Sequence, residues 1–142
     1  MSIKTYDFKQ VTLNIGPYII SEFEAGGLSF KRDEDLFTKK KGAGGEISRS
    51  KKTGSAGMVT VRLKQTSQSN TDLNALYILD QTSNGGALPL TLKDNNSDGL
   101  IIATENAWIK TLPEIKFVEE EDMFEWVVDC DNCVVNILGY TL

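Results

Sequence analysis

The sequence predicts a mainly β fold, a sandwich or barrel with one flanking helix. Three observations point there. Short apolar–polar alternations recur along the chain, separated by Gly, Pro, Asn and Asp clusters. One stretch alone carries a marked helix start. No apolar run approaches the length needed to span a membrane.

The central stretch is Gly54 to Leu76. Val59, Val61 and Leu63 fall on one side of a period-two pattern, and Thr60, Arg62 and Lys64 fall on the other. A strand of about 8 residues spans roughly 26 Å. Polar residues from Gln65 to Asn70 end the alternation, and Asn70 or Thr71 can cap a helix carrying Leu73, Leu76 and Tyr77. That helix can cover one end of the core.

Taken in order, Asp7 to Ile15 predicts a strand with Val11, Leu13 and Ile15 on one face and Gln10, Thr12 and Asn14 on the other. Gly16-Pro17 interrupts it, and Tyr18 to Glu24 resumes. Gly26-Gly27 marks a turn or bulge before Leu28 to Lys31. Asp33 to Ser55 shows little periodicity, and a segment of that length without structure is functional or disordered. An arm ordering against a neighbouring subunit accounts for its length, charge and glycines together, and a solvated surface loop is the alternative.

Further on, Leu88, Leu90 and Leu92 alternate, with Pro89 placing them at an edge or a strand start. Asp94 to Gly99 is turn-rich and Leu100 to Ala103 returns, which predicts a hairpin. Glu105 to Leu112 either continues that strand or forms an irregular piece before Pro113. Glu114 to Glu119 alternates around Ile115 and Phe117. Met123 to Cys130 and Cys133 to Leu138 predict two last strands, with Phe124, Trp126, Val128 and Cys130 sharing a face.

Composition narrows the function classes. At 142 residues the chain fits one domain with a sizeable core. The start MSIKTYDFKQ lacks the apolar region of a signal peptide, so synthesis is expected to end in the cytoplasm, with Cys130 and Cys133 reduced. The chain has no histidine, which removes the commonest general base and transition-metal ligand and lowers the expectation of an enzyme. Net charge of −5 argues against a dedicated nucleic-acid binder.

The charge is also unevenly placed. Lys31, Arg32, Lys39, Lys40, Lys41, Arg49, Lys51 and Lys52 cluster before Ser55, whereas Glu114 to Asp131 is acidic with Lys116 its one base. Opposite patches, with Glu119, Glu120, Glu121 and Asp122 as the acidic one, suit head-to-tail self-association, and two solvated surfaces are the plain alternative.

Four constellations bear on chemistry. Asp94-x-Asn96-x-Asp98-Gly99-x5-Glu105 satisfies the EF-hand calcium pattern in its ligand and glycine positions. Its flanks, however, alternate like strands, and a β-turn needs the same residues without metal. Cys130-Asp131-Asn132-Cys133 has CxxC spacing but lacks the further Cys or His ligands of a zinc site, and is read as flanking a tight turn. Glu119 to Asp122 gives no defined carboxylate pair, and the glycines at 42, 44 and 45 open no P-loop. Trp108 and Trp126 are read as core or interface anchors. No catalytic, cofactor or metal site is expected.

Several positions in order resemble the tail tube proteins of contractile-tailed bacteriophages. They are Tyr6-Asp7-Phe8, Gly44-Gly45-Glu46 with Arg49-Ser50, Gly57-x-Val59-Thr60-Val61-x-Leu63 and Gln65-Thr66-Ser67-x-x-Asn70-x-x-Leu73. Asp98-Gly99, Trp108-Ile109-Lys110 before Pro113, and Glu125-Trp126 complete the set. The resemblance covers nearly the whole chain and rests on structural motifs.

It implies an orthogonally packed β-sandwich with a flanking helix, assembled as homohexameric rings stacked into a hollow tube within a contractile sheath. One sheet would join its neighbours into a closed lumenal barrel. Residues 33–55 would form the inter-subunit loop, through Lys39, Lys40, Lys41, Gly44, Gly45, Glu46, Arg49, Lys51 and Lys52. Implied partners are the sheath, baseplate and tail terminator proteins and double-stranded DNA passing without tight binding, with no membrane. The expected place is the virion tail, assembled in the host cytoplasm.

Gln10, Thr12, Asn14 and Thr60, Arg62, Lys64 are candidate lumen faces. Arg62 and Lys64 need neighbouring acids to sit there, or face another subunit. Alternatives are the tube of an R-type tailocin or type VI secretion machine, or a monomeric calcium-binding β module using Asp94 to Glu105.

Overall fold

Alternating side chains leave every buried strand with one core face and one outward face, and the chain folds so that all core faces meet. The computed structural model describes residues 3–96 and 99–140. Its strands are β1 (Val11–Ile15), β2 (Tyr18–Ile20), β3 (Phe23–Arg32), β4 (Phe37–Lys41), β5 (Ile47–Lys51) and β6 (Gly57–Lys64). Helix α1 (Ser69–Ser83) follows, then β7 (Leu88–Asp94), β8 (Leu100–Thr111), β9 (Met123–Asp131) and β10 (Val134–Asn136).

Eight strands form one sheet in the order β2-β1-β7-β8-β9-β6-β3, with β10 also on β8. Strand β8 belongs to both halves of this sheet. Its first part pairs with β7, from Leu100 opposite Asp94 to Ala107 opposite Leu88. Its last part pairs with β9, from Asn106 opposite Asp131 to Thr111 opposite Val127. At the other corner β2 runs into β3 through Ser21 and Glu22, where Glu22 takes φ +61°. The sheet is thereby bent into two layers over one core, the sandwich the sequence predicts.

That core contains Leu13, Ile15, Ile20, Val59, Val61, Leu63, Leu90, Leu92, Ile102, Ile109, Trp126 and Val128, with Leu73 and Leu76 of α1. The predicted faces of β1, β6 and β9 are therefore observed. Pro89 sits at the start of β7 beside a register shift, as a proline must. The Gly26-Gly27 bulge lies in β3, where the register against β6 slips between Phe23 and Leu28.

Four expectations need correction. Tyr6 to Gln10 forms no strand: Phe8–Gln10 is a 3-10 turn whose cap, Asp7, accepts the Lys9 N–H at 3.0 Å. Glu114 to Glu119 has no regular structure, because its apolar residues meet no sheet and remain exposed. Residues 33–55, read as lacking structure, hold the antiparallel hairpin β4–β5, from Phe37 opposite Lys51 to Lys41 opposite Ile47. Both its faces are rich in polar residues, so no apolar alternation announced it.

The fourth correction concerns Cys130 to Cys133, which flank no reversing turn. Strand β10 continues the register of β9 along the same edge of β8, Asn106 facing Asp131 and Ala103 facing Val134. The two are one strand broken at Asn132, which takes φ +47°. Both thiols are free and buried, and they lie close enough to perturb each other. Burial pushes both up in pKa, and the mutual contact raises Cys130 further.

Helix α1 starts at Ser69, with Gln68 as a cap that makes no side-chain bond, so Asn70 and Thr71 lie inside the first turn rather than capping it. Asn70 does something else. Its Nδ2 donates to the carbonyls of Lys64 at 3.0 Å and Ser67 at 3.1 Å, and its Oδ1 accepts the Trp126 Nε1–H at 2.9 Å. One side chain thus joins the end of β6, the helix start and the core of β9. Ser67 Oγ donates to the Ser21 carbonyl at 2.7 Å and Ser69 Oγ accepts the Ser21 N–H at 2.9 Å, tying the same helix start to the β2–β3 corner. Among the described residues no helix is long and apolar enough to cross a membrane.

Removing Asn70 orphans a buried indole N–H, so Asn70→Ala should lower the unfolding free energy by about 2–3 kcal/mol in urea titration. The thiols set a pH dependence. With folded pKa values above the ordinary 9.0, the folded state holds protons that the unfolded chain releases, so stability should fall as pH rises past 9. Cys130→Ala, compared with the native chain across that range, should flatten the decline.

Candidate assembly interface

The hairpin and the acidic loop lie beside opposite ends of one strand, β6. Residues 33–56 connect Arg32 of β3 to Gly57 of β6, and Arg32 pairs with Gly57. Residues 112–122 connect Thr111 of β8 to Met123 of β9, and Met123 pairs with Lys64 at the far end of β6. Seven steps along β6 separate the two attachments, about 23 Å.

The hairpin stands clear of the core, every residue of β4 and β5 being exposed. Its glycine-rich tip closes through Gly42 N–H to the Glu46 carbonyl at 2.7 Å and Gly45 N–H to the Gly42 carbonyl at 3.1 Å. Gly45 takes φ +90°, and the Glu46 carboxylate occupies the space a side chain at Gly42 would need. The register puts Phe37, Lys39 and Lys41 on the same face as Ile47, Arg49 and Lys51. Arg49 lies over the Phe37 ring at 4.0 Å from its centroid. Thr38, Lys40, Ser48 and Ser50 form the other face. At the base, Arg32 Nη1 donates to the Ser55 carbonyl, and Lys52 N–H donates to the Leu36 carbonyl at 2.7 Å.

The loop 112–122 exposes Leu112, Ile115, Phe117 and Val118, with Phe117 at 83%. It arches over the outward face of β9 and bounds a groove of about 520 Å3, lined among others by Leu112, Pro113, Glu114, Asp122, Met123 and Glu125. The predicted acidic patch divides here. Glu121 pairs with Lys64 at 3.8 Å, a contact of small energetic weight at this exposure. Asp122 is held by its backbone, its N–H donating to Gln65 Oε1 at 3.1 Å and its carbonyl accepting the Gln65 N–H at 3.1 Å. Glu119 and Glu120 are exposed.

The two candidate lumen sets are not brought together. Thr12 and Asn14 lie on the outward face of β1, opposite Lys93 and Thr91 of β7. Gln10 lies outside the strand, in the 3-10 turn. Thr60, Arg62 and Lys64 share the other face of β6, with β7, β8 and β9 between the two strands, but Thr60 is buried and Arg62 half-buried, so only Lys64 is fully exposed there. Acids do accompany the β6 set, since Arg62 faces Glu125 and Lys64 meets Glu121. Trp108 is half-buried on the same outward side, opposite Asp129, whereas Trp126 is in the core.

The calcium-like pattern has the wrong geometry. Strands flank it where an EF-hand needs helices, and Glu105 is in β8, about 17 Å along an extended chain from Leu100. Asp94 is buried, its Oδ1 accepting Asn96 N–H at 2.9 Å and Nδ2 at 2.7 Å. Asn96 Nδ2 also donates to the Asp7 carbonyl at 2.8 Å, so this turn anchors the N-terminal segment. Asp98 lies outside the described residues. Among those described, no three Asp, Glu, Cys or His side chains group as metal ligands.

One feature escaped the sequence pattern, the sidedness of the hairpin. Phe37 and Ile47 fall in step with Lys39, Lys41, Arg49 and Lys51 at every second position, and that spacing was the available signal.

Comparison with known proteins agrees with this picture. A family profile described as "Bacteriophage PhiTE tail tube protein" matches residues 4–139. "Structural protein ORF10" of Pseudomonas phage KPP10 is 30% identical over 137 residues, covering 90% of this chain and 79% of that protein. The fold is shared with a chain of the sheath–tube complex of an extracellular contractile injection system in the extended state (TM-score 0.64, 14% identity, 94% of this chain and 93% of that one). It is also shared with a chain of a native gene transfer agent virion (TM-score 0.61, 11% identity, 97% and 100%). The phage tail tube profile spans the chain from the Tyr6 segment to Gly139, and the protein belongs to the bacteriophage tail tube family as a structural subunit of the tube.

Proposed function

We propose that the whole chain acts as one tube-forming unit, assembling as hexameric rings that stack into a conduit for double-stranded DNA inside a contractile sheath. The observation that carries this beyond family membership is the placement of a cationic hairpin and an acidic, apolar loop at opposite ends of β6. Complementary surfaces that differ from one another give heterologous contacts, and these close into rings or run on as filaments. Residues 33–55 are the inter-subunit arm. Strands β2 and β3, at the two ends of the sheet path, are the edges a neighbouring sheet would extend, which removes the open edges by closure.

Only one outward face can line a lumen. We assign it to the β1–β7 face of Thr12, Asn14 and Thr91, where Lys93 is the one charge opposite β1. A face so low in cations holds passing phosphate weakly. The Arg62–Glu125 side then faces neighbouring subunits. Sheath and terminator partners are supported by the matched complexes, which include a sheath–tube complex and a sheath/tube terminator. Baseplate attachment and assembly in the host cytoplasm follow from the same reading. The 30%-identical relative is a phage protein, which favours DNA over the protein cargo of a tailocin or secretion tube. No catalytic role is proposed.

Electron microscopy of the purified protein should show rings or tubes. A strict monomer whose melting temperature rises with calcium would overturn the proposal. Deleting Lys39 to Ser50 should leave a folded subunit, because β4 and β5 contribute nothing to the core, but abolish stacking. Normal tubes from that variant would remove the arm from the assembly.

A further inference from the structure

We propose that the groove under the 112–122 loop is the receptor for the hairpin of a neighbouring copy, entered by one face of the hairpin only. This rests on the tube reading and adds to it the acceptor site and the docking face. The occupant follows from chemistry and position. The groove combines apolar Leu112, Pro113 and Met123 with three carboxylates, Glu114, Asp122 and Glu125, against a single cation, Lys116, and so stays net acidic. The hairpin presents the complement on one side, apolar Phe37 and Ile47 beside Lys39, Lys41, Arg49 and Lys51. Its other face, mostly hydroxyls, has no apolar residue to bury. The Arg49–Phe37 stack keeps a flat cationic surface on the docking side.

Reach and direction agree. From Asp33 to the tip near Ala43 an extended chain covers about 33 Å, more than the roughly 23 Å along β6. A hairpin leaving one end of a subunit can therefore reach the groove at the opposite end of the next. The groove of its own chain lies at the wrong end. Apolar burial supplies the affinity and the charge pairs fix the register. Ile47 at 65% exposure and Leu112 at 41% leave apolar surface open on both the hairpin and the groove.

Full-length native protein, assembled and treated with a water-soluble carbodiimide, provides the test. This reagent joins lysines directly to contacting carboxylates. Peptide mass spectrometry should find Lys39, Lys41 or Lys51 joined to Glu114, Asp122 or Glu125 in tubes and not in the monomer fraction. Tubes whose hairpin lysines join only to other carboxylates, or to none, would overturn the groove assignment while leaving the tube reading intact. If neither rings nor tubes form, the tube reading itself fails and the groove assignment falls with it. Ile47→Asp should keep the monomer melting temperature and reduce assembly at least tenfold, whereas Ser48→Asp on the opposite face should assemble like the native chain. Equal effects of the two substitutions would refute the sidedness.

Discussion

Strand β6 is the constraint on which the rest depends. It is hydrogen-bonded along both edges, to β3 and to β9, and Val59, Val61 and Leu63 are fully buried beneath it. A strand held this way cannot slip by a residue without turning its whole apolar set outward. The hairpin enters at the first residue of β6, and at its last residue Lys64 pairs with Met123, where the acidic loop ends. The distance and direction between these two elements are therefore set by the most tightly specified part of the core. For a subunit that must repeat along an axis, this matters more than any local detail of either element.

The other strands serve to close that core without a second sheet. β8 passes from one layer to the other, β2 and β3 turn the opposite corner, and the β9–β10 break at Asn132 lets one strand follow both halves of β8. Each change of direction coincides with a bulge or a left-handed residue, as bending a sheet requires. The two layers then present outward faces of different character, one nearly uncharged beside β1 and one with compensated charges beside β6. Among the described residues the buried side-chain polar atoms are satisfied, with Asn70, Ser67 and Ser69 hydrogen-bonded around the helix start, and the two cysteines lie buried as free thiols. Their raised pKa values make them poor nucleophiles.

Much of this was legible in the sequence. Strands with one buried face, such as β1, β6 and β9, announce themselves because burial demands period-two apolar spacing. The helix was equally clear, although its first turn was misplaced, since Asn70 serves the core rather than the cap. The hairpin was not legible as structure, because its apolar residues are two among many cations and the turn signal at Gly42 to Gly45 looked like flexibility. The reverse error occurred at Glu114 to Glu119, where alternation existed but no neighbouring strand was present to pair with it. At Cys130 to Cys133 the local residues suit a turn, and only the shared edge of β8 reveals a continuing strand.

By itself the sequence determined the β class, the core-facing residues, the absence of histidine chemistry, the separation of charge into two segments and the likeness to tail tube proteins. All of these depend on residue type and short-range spacing. Tertiary structure decided that the two charged segments lie at opposite ends of one strand, that the two polar candidate faces look away from each other, and that Glu105 is carried away from the Asp94 turn. Those are relations between residues distant in the chain. They are fixed by strand order and register, which a single sequence does not display because pairing energy comes from the partner strand.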